Sequence, residues 1–154
     1  MFLDKDNNAF YDYIANDVKS TEFNINQLIP LALPFRMISD EFARNVLKNI
    51  DELLLTPYGI RVCPFEKQKT STPCRNLIKP SAIHLYLQIC LYYKPFAEDI
   101  FDYFTPLMDL TSKGLLGFIP EYVANGAEDN THEGIPDYTT SLASLIYADY
   151  VFRK

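Results

Sequence analysis

The sequence predicts an all-α chain of antiparallel helical hairpins, on three observations. Apolar residues recur at helical spacing in several separate segments, each segment carries its own cap or breaker, and the stretches between are rich in Pro, Gly, Thr or Asn. The clearest helix follows Ser39. Phe42, Ala43, Val46, Leu47, Ile50, Leu53 and Leu54 line one helical face, Ser39 is placed as N-cap, and Asp40 and Glu41 put negative charge in the first turn. The helix stops at Thr56-Pro57-Tyr58-Gly59, where proline removes a donor and glycine permits a turn. A second helix runs from near Ser81 to about Tyr93, apolar nearly all round, as an inner helix would be. A third opens on Pro95, presents Phe96, Ile100, Phe101, Phe104, Leu107, Met108 and Thr111 along one face, and ends at Lys113-Gly114. The short Tyr93-Lys94-Pro95 joint makes these two an antiparallel pair. A last helix, about Thr140 to Phe152, is expected to turn Leu142, Leu145 and Ile146 inward, and a shorter one covers Gln27 to Leu33 before Pro34. Only Phe10 to Ile14 alternates, weakly, as a strand would.

Two long connections, Pro57 to Pro80 and Gly114 to Tyr138, separate these helices. Unstructured loops longer than about 15 residues are uncommon inside a compact domain unless they carry function. The implied architecture gathers them at one end of the hairpins, where a site can be built. With 154 residues, 48% of them apolar, and neither linker nor internal repeat, residues 1–154 read as one domain.

Composition excludes several classes of function. A net charge of −6 with scattered Lys and Arg does not suit a nucleic-acid surface. Met1 to Asn8 turns polar too soon for a signal peptide, and the longest apolar run, Ile83 to Tyr93, is too short to span a bilayer, so no membrane association is expected. Cys63, Cys74 and Cys90 are an odd number without paired spacing, which suits reduced thiols and a cytoplasmic address. Cys63, Cys74 and His84 lack the close ligand pairs of structural zinc sites and read as buried thiols and a helix-borne histidine, so no metal or other cofactor is expected. His132 beside Glu133 reads as an exposed loop pair, with a proton shuttle as the alternative. Nucleophile elbows, phosphate-cradling glycine loops and dinucleotide fingerprints are absent.

One carboxylate stands out. Glu121 lies in Gly114-Leu-Leu-Gly-Phe-Ile-Pro-Glu-Tyr-Val-Ala-Asn-Gly126, preceded by two glycines and a proline, followed by a tyrosine, on irregular backbone. A general base must stay ionised and reach a water, and partial exposure beside donors such as Tyr122 suits that task. A solvated loop glutamate is the bland alternative.

Three motifs in order now carry a resemblance. Asn24-Ile-Asn-Gln-Leu-Ile-Pro-Leu-Ala-Leu-Pro-Phe35, Leu54-Leu-Thr-Pro-Tyr-Gly-Ile-Arg61 and Gly114-Leu-Leu-Gly-Phe-Ile-Pro-Glu121 with Gly126 resemble, in order and approximate spacing, the C-terminal domain of glycogen debranching enzymes, the amylo-α-1,6-glucosidases. The resemblance implies part of an (α/α)6 toroid, the last half of such a ring, and inverting hydrolysis of an α-1,6-linked glucose stub on a glycogen-like α-glucan. Inversion uses two carboxyls about 6.5–9.5 Å apart, one protonating the leaving oxygen and one activating water. By the resemblance Glu121 is the general base, Tyr58 and Arg61 line the glucose subsite, Asn26 and Gln27 shape its floor, and Tyr122 stacks or donates.

Departures from the family pattern accompany the match. The family's general acid, an aspartate, lies upstream of the matched motifs, and no substitute is evident here: Asp12, Glu66 and Asp137 can each be proposed, but nothing in the sequence fixes any of them opposite Glu121. The family's Arg-Pro-Asn-Gln is Asn24-Ile25-Asn26-Gln27 here, and no tryptophan is present to stack on a sugar, leaving Tyr58, Tyr122 and Tyr138 for that role. The resemblance therefore implies a second polypeptide, or a homodimer, that completes the ring. The alternative is a non-catalytic helical remnant, an interaction or glucan-binding module.

Overall fold

In a computed structural model of the chain, the structure describes residues 2–64, 77–93, 100, 102–112, 117–124, 132–136 and 138–152. About 52% of these residues are helical and 17% are in strands, so the all-α expectation is overturned. The strands form three antiparallel sheets. Two are hairpins near the N-terminus, β1 (Leu3–Asp4) with β2 (Ala9–Phe10) and β3 (Ile14–Ala15) with β4 (Val18–Lys19). The third runs in the order β5 (Leu55–Thr56), β6 (Gly59–Arg61), β7 (Leu77–Lys79), β8 (Tyr122–Ala124), β9 (His132–Glu133). The two connections expected to be loops thus supply four of its five strands.

The strands escape a periodicity reading because each is two or three residues long. Alternation needs about four residues to register, and these fall between prolines and glycines that read as breakers. Their local chemistry is nevertheless that of strands and hairpin turns. Asn16 and Asp17, at φ 49° and 63°, make the two-residue β3–β4 turn with both central residues left-handed, the geometry that matches strand twist. Asp4 is buried and closes the β1–β2 turn by accepting from the backbone and side-chain nitrogens of Asn7, at 3.3 and 2.9 Å. The stretch expected as one strand, Phe10 to Ile14, instead joins the two hairpins.

Among the described residues, five α-helices pack with these strands. In α2 (Asp40–Leu53) the Ser39 hydroxyl caps the Phe42 amide at 3.3 Å, and Ala43, Val46, Leu47 and Ile50 are buried, as their spacing predicts. Leu53 is exposed, while Leu54, one residue beyond the helix, takes the core position. Asn49 of α2 donates to the carbonyls of Asn7 and Asn8, and Phe42 meets Phe10 edge to face, which seats the first hairpin on this helix. The inner helix, α3 (Ile83–Tyr93), follows a buried 3-10 turn at Pro80–Ala82. Tyr86 of α3 is fully buried and donates to Asp51 of α2 at 2.7 Å. Burial, then Cys90 and Asp51, pushes its hydroxyl far above the ordinary tyrosine range.

Over its described residues the expected third helix is broken. A 3-10 turn at Asp102–Phe104, α4 (Thr105–Asp109) and a 3-10 turn at Leu110–Ser112 replace its second half. Pro106, in the first turn of α4, explains the break, because it lacks the amide donor that a helix continuing from Asp102 would need there. Phe104, Leu107 and Leu110 are buried; Phe96 and Phe101 lie outside the described residues. The first short helix, α1 (Leu28–Ala32), falls where expected. In α5 (Thr139–Phe152) the inward face is Ser141, Ser144, Leu145 and Ala148, and Ile146 is 60% exposed. The face is set by small residues, which let α5 approach the Pro80–Ala82 turn and α3 closely.

Sheet and helices meet at Gly59. It has φ +135°, and a Cβ there would lie 2.8 Å from the Lys79 carbonyl oxygen and 2.9 Å from Pro80 Cα. Gly59→Ala is therefore expected to cost about 1–3 kcal/mol from backbone strain alone, and more from the overlap. Urea unfolding midpoints measure it; a variant as stable as the parent would contradict the close approach.

Candidate functional site

The predicted site residues fall in three places. Asn26 and Gln27 lie in the 3-10 turn Ile25–Gln27, whose N-cap Asn24 accepts from the Asn26 amide at 2.8 Å. They border a cavity of about 660 Å³ together with Phe10, Tyr11, Asp12 and the apolar side chains of Ile29, Leu33 and Met37. Asn26 Nδ2 donates to Asp12 Oδ1 at 2.8 Å, so one of the candidate acids shares this cavity with both predicted floor residues. Gln27 is 1% exposed. Its Oε1 accepts from the Phe10 amide at 2.7 Å and its Nε2 donates to the Phe10 carbonyl at 2.9 Å. The side chain thus pairs with an edge of β2 as a neighbouring strand would.

Tyr58 and Arg61 belong to the β5–β6 hairpin. Thr56 Oγ1 donates to the Gly59 carbonyl at 2.8 Å and accepts from the Tyr58 amide at 3.3 Å, which holds the Thr-Pro-Tyr-Gly turn and leaves the Tyr58 ring half-buried against the core. Arg61 ends β6. Burial lowers its guanidinium below the ordinary range, with Tyr103 and Cys63 opposing, and burial raises the Tyr103 hydroxyl while Arg61 lowers it. Arg61 and Tyr103 are therefore electrostatic neighbours.

Glu121 is half-buried just before β8. Its amide donates to the Ile135 carbonyl at 2.9 Å, and Oε2 accepts from the Ile135 amide at 3.3 Å. Oε1 has no hydrogen-bond partner among the described residues. The carboxylate sits against Gly134, which has φ +77° and where a Cβ would be 2.6 Å from Oε2. A side chain there would be strained at this φ and would displace the carboxylate. Gly117, at φ +81°, makes the turn that precedes Ile119 and Pro120, and its amide bonds to the Thr111 carbonyl at 2.7 Å. Tyr122 pairs with Glu133, and Lys79 Nζ lies 5.6 Å from the Tyr122 ring centroid.

Ladder register decides which of these residues share a face. Arg61 pairs with Ile78 and Ile78 with Val123, so strand alternation puts Arg61 on one face of the sheet and Lys79 and Tyr122 on the other. Asp12, Asn26 and Gln27 are brought together; Arg61 and Tyr122 are not. Glu66 and Asp137 lie outside the described residues, as do Cys74 and the Asn125-Gly126 end of the Glu121 segment. Of the tyrosines proposed for stacking, Tyr138 is half-buried and its amide bonds to the Ile119 carbonyl at 3.0 Å.

Other groups can be placed too. Cys63 and Cys90 are buried thiols, and among the described residues no three His, Cys, Asp or Glu side chains gather as a metal site would require. No helix among them is long and apolar enough to cross a membrane. His84 Nδ1 is 2.7 Å from the Ser81 carbonyl, so its proton is on Nδ1, and Ser144 Oγ lies 3.0 Å from the same nitrogen. The apolar cavity escaped the sequence reading. Its signal was an excess of large apolar residues after Gln27, since Ile29 at 53% and Met37 at 66% exposure are more than one buried face of a short helix needs.

The first two site groups coincide with a family match. Residues 1–71 match the amylo-alpha-1,6-glucosidase family. The resemblance read from the Asn24–Phe35 and Leu54–Arg61 motifs therefore holds, and the matched span contains Asn26, Gln27, Tyr58 and Arg61 but ends before Glu121. Among solved structures, neutral trehalase Nth1 from Saccharomyces cerevisiae shares the fold, with a TM-score of 0.68 at 12% identity. The likeness covers 96% of this chain and 27% of the trehalase, so the chain spans about a quarter of that protein's length. The likeness is one of fold, the helices and small sheets of this chain following the arrangement of the matching quarter of the trehalase. No curated protein sequence matches it significantly.

Gln27 yields a direct test of the site's frame. Gln27→Leu leaves the Phe10 amide and carbonyl without partners in a buried place, which is expected to destabilise the fold by about 2 kcal/mol or more. Chemical denaturation reads the loss, and hydrogen exchange at the Phe10 amide locates it; unchanged values for both would contradict the clamp.

Proposed function

We propose that this chain is part of a debranching-type α-1,6-glucosidase of the cytoplasm, which removes α-1,6-linked glucose from a glycogen-like α-glucan with inversion. One observation carries the reading: the family match includes the turn bearing Asn26 and Gln27 and the hairpin bearing Tyr58 and Arg61, within a chain of glycosidase-like fold. In this reading Asn26 and Gln27 form the floor of a glucose subsite and Tyr58 and Arg61 line it, while Tyr122, on the other face of the sheet from Arg61, stacks or donates beside Glu121. Glu121 is the general base. Its Oε2 is held by the Ile135 amide, which leaves Oε1 to take a proton from the attacking water. The acid that protonates the leaving oxygen comes from outside the described residues, on a preceding segment, a second polypeptide or a second copy of this chain.

A second reading, a glucan-binding module without turnover, is favoured by one observation. The family match ends at residue 71, fifty residues short of Glu121.

Glucose release from a branched limit dextrin separates the two, assayed with the chain alone and with its upstream neighbouring gene product. The enzymatic reading expects release in at least one case, and Glu121→Gln should reduce it about 10²–10⁴-fold, the usual worth of a positioned base. Binding of the dextrin with no release in either case would establish the second reading instead.

A further inference from the structure

Asp12 has a chemistry at the cavity mouth that its structural neighbours do not use. Its backbone is fixed at the root of the β3–β4 hairpin, where its amide bonds to the Ser20 carbonyl at 3.3 Å. Asn26 is fixed in its capped turn. A carboxylate only accepts, so the Asn26 amide must direct its NH₂ group at Asp12 Oδ1, and the 2.8 Å bond sets which way the amide faces. Asp12 Oδ2 and Asn26 Oδ1 are then acceptors with no other partner among the described residues, and one hydrogen of the Asn26 NH₂ is left over. Gln27 cannot read a ligand in this way, because both ends of its amide serve Phe10.

Two adjacent acceptors and a donor at the edge of a largely apolar cavity define a ligand class. They suit a neutral ring with neighbouring hydroxyls along one edge and C–H groups on its face, the latter resting on Ile29, Pro30 and Leu33. An anion is repelled by Asp12. A cation meets Lys19, whose Nζ already lies 5.1 Å from the ring centroid of Tyr11 in the cavity wall. We propose that Asp12, oriented with Asn26, is a specificity-determining residue that reads vicinal hydroxyls of a glucosyl unit seated in this cavity. The identity of the ring as glucosyl rests on the α-glucan reading above, while the selection of a vicinal diol rests on Asp12 and Asn26 alone.

The test is an amide-resolved NMR titration of the full chain and of Asp12→Asn and Asp12→Ala, with isomaltotriose, maltotriose and trans-1,2-cyclohexanediol as probes. The expected result is shifts at Asp12, Asn26, Ile29 and Leu33 with a trisaccharide, weakened about tenfold or more in both variants by loss of a charge-assisted hydrogen bond, with unfolding midpoints unchanged. Trisaccharide shifts confined to Glu121 and Ile135, insensitive to Asp12→Asn, would overturn the proposal and leave the α-glucan reading standing. Cavity shifts with the cyclohexanediol, lost in Asp12→Asn, but with neither trisaccharide would keep the diol-reading role and overturn the glucan. No cavity shift with any of the three probes would overturn the proposal outright.

Discussion

The corner formed by Lys79, Pro80, Ser81 and Ala82 constrains everything else in this molecule. Four elements converge on it: β7 ends at Lys79, the buried 3-10 turn follows, α3 starts at Ile83, and α5 lies across the turn. A fifth, β6, is pressed against it at Gly59, where no side chain fits. The corner is buried backbone, so its polar groups need partners. Ser81 supplies the acceptor: its carbonyl lies 2.7 Å from His84 Nδ1 and 2.9 Å from Ser144 Oγ. Ser144 also lies 2.8 Å from the Thr140 carbonyl, so its single hydroxyl proton serves one carbonyl at a time, while His84 Nδ1 donates to the Ser81 carbonyl in either case. These contacts require α5 to come close, which is why the small residues Ser141, Ser144 and Ala148 accompany Leu145 on its inner face and Ile146 is turned outward.

From this corner the positions of the site follow. Once β7 is fixed, β6 and β8 are set by their ladders on either side, and Glu121 enters the sheet directly before β8. Ser141 of α5 donates to the Pro120 carbonyl at 2.9 Å, which ties the residue before Glu121 to the same helix that locks the corner. The glutamate is thus held from both directions, by α5 through Pro120 and by the Gly134–Ile135 strap against its carboxylate. Such rigidity matters for a general base, because small displacements of a reacting group are costly in rate. The cavity bordered by Asp12 and Asn26 is organised separately, by the Gln27 clamp on β2 and by the hairpins seated on α2.

The sequence revealed helices well where a capped, amphipathic pattern was long, and strands hardly at all. Ser39, the acidic first turn and the Ala43-to-Ile50 stripe located α2 because local propensity and tertiary burial agree there. Ile146 misled because hydrophobicity predicts burial, whereas close packing at Ser81 selects small side chains instead. Leu55, Ile60, Ile78 and Val123 carried real strand chemistry, but two- and three-residue strands gain their stability from partners distant in sequence, which no local window contains. The same limit applies to the site. Asn26, Gln27, Tyr58 and Arg61 were found through motif resemblance. The opposite faces taken by Arg61 and Tyr122, the internal use of the Gln27 amide and the seating of Glu121 on Gly134 all depend on register, and register is a tertiary property.

The most direct test of this account is native-state hydrogen exchange on Ser144→Val, which removes the hydroxyl from the corner while keeping a small side chain. If the corner couples the helices to the sheet, protection falls together at α3, at α5, at the Val123 amide of β8 and at the Ile135 amide that holds Glu121. Loss confined to α5, with Val123 and Ile135 protected as in the parent chain, would contradict it.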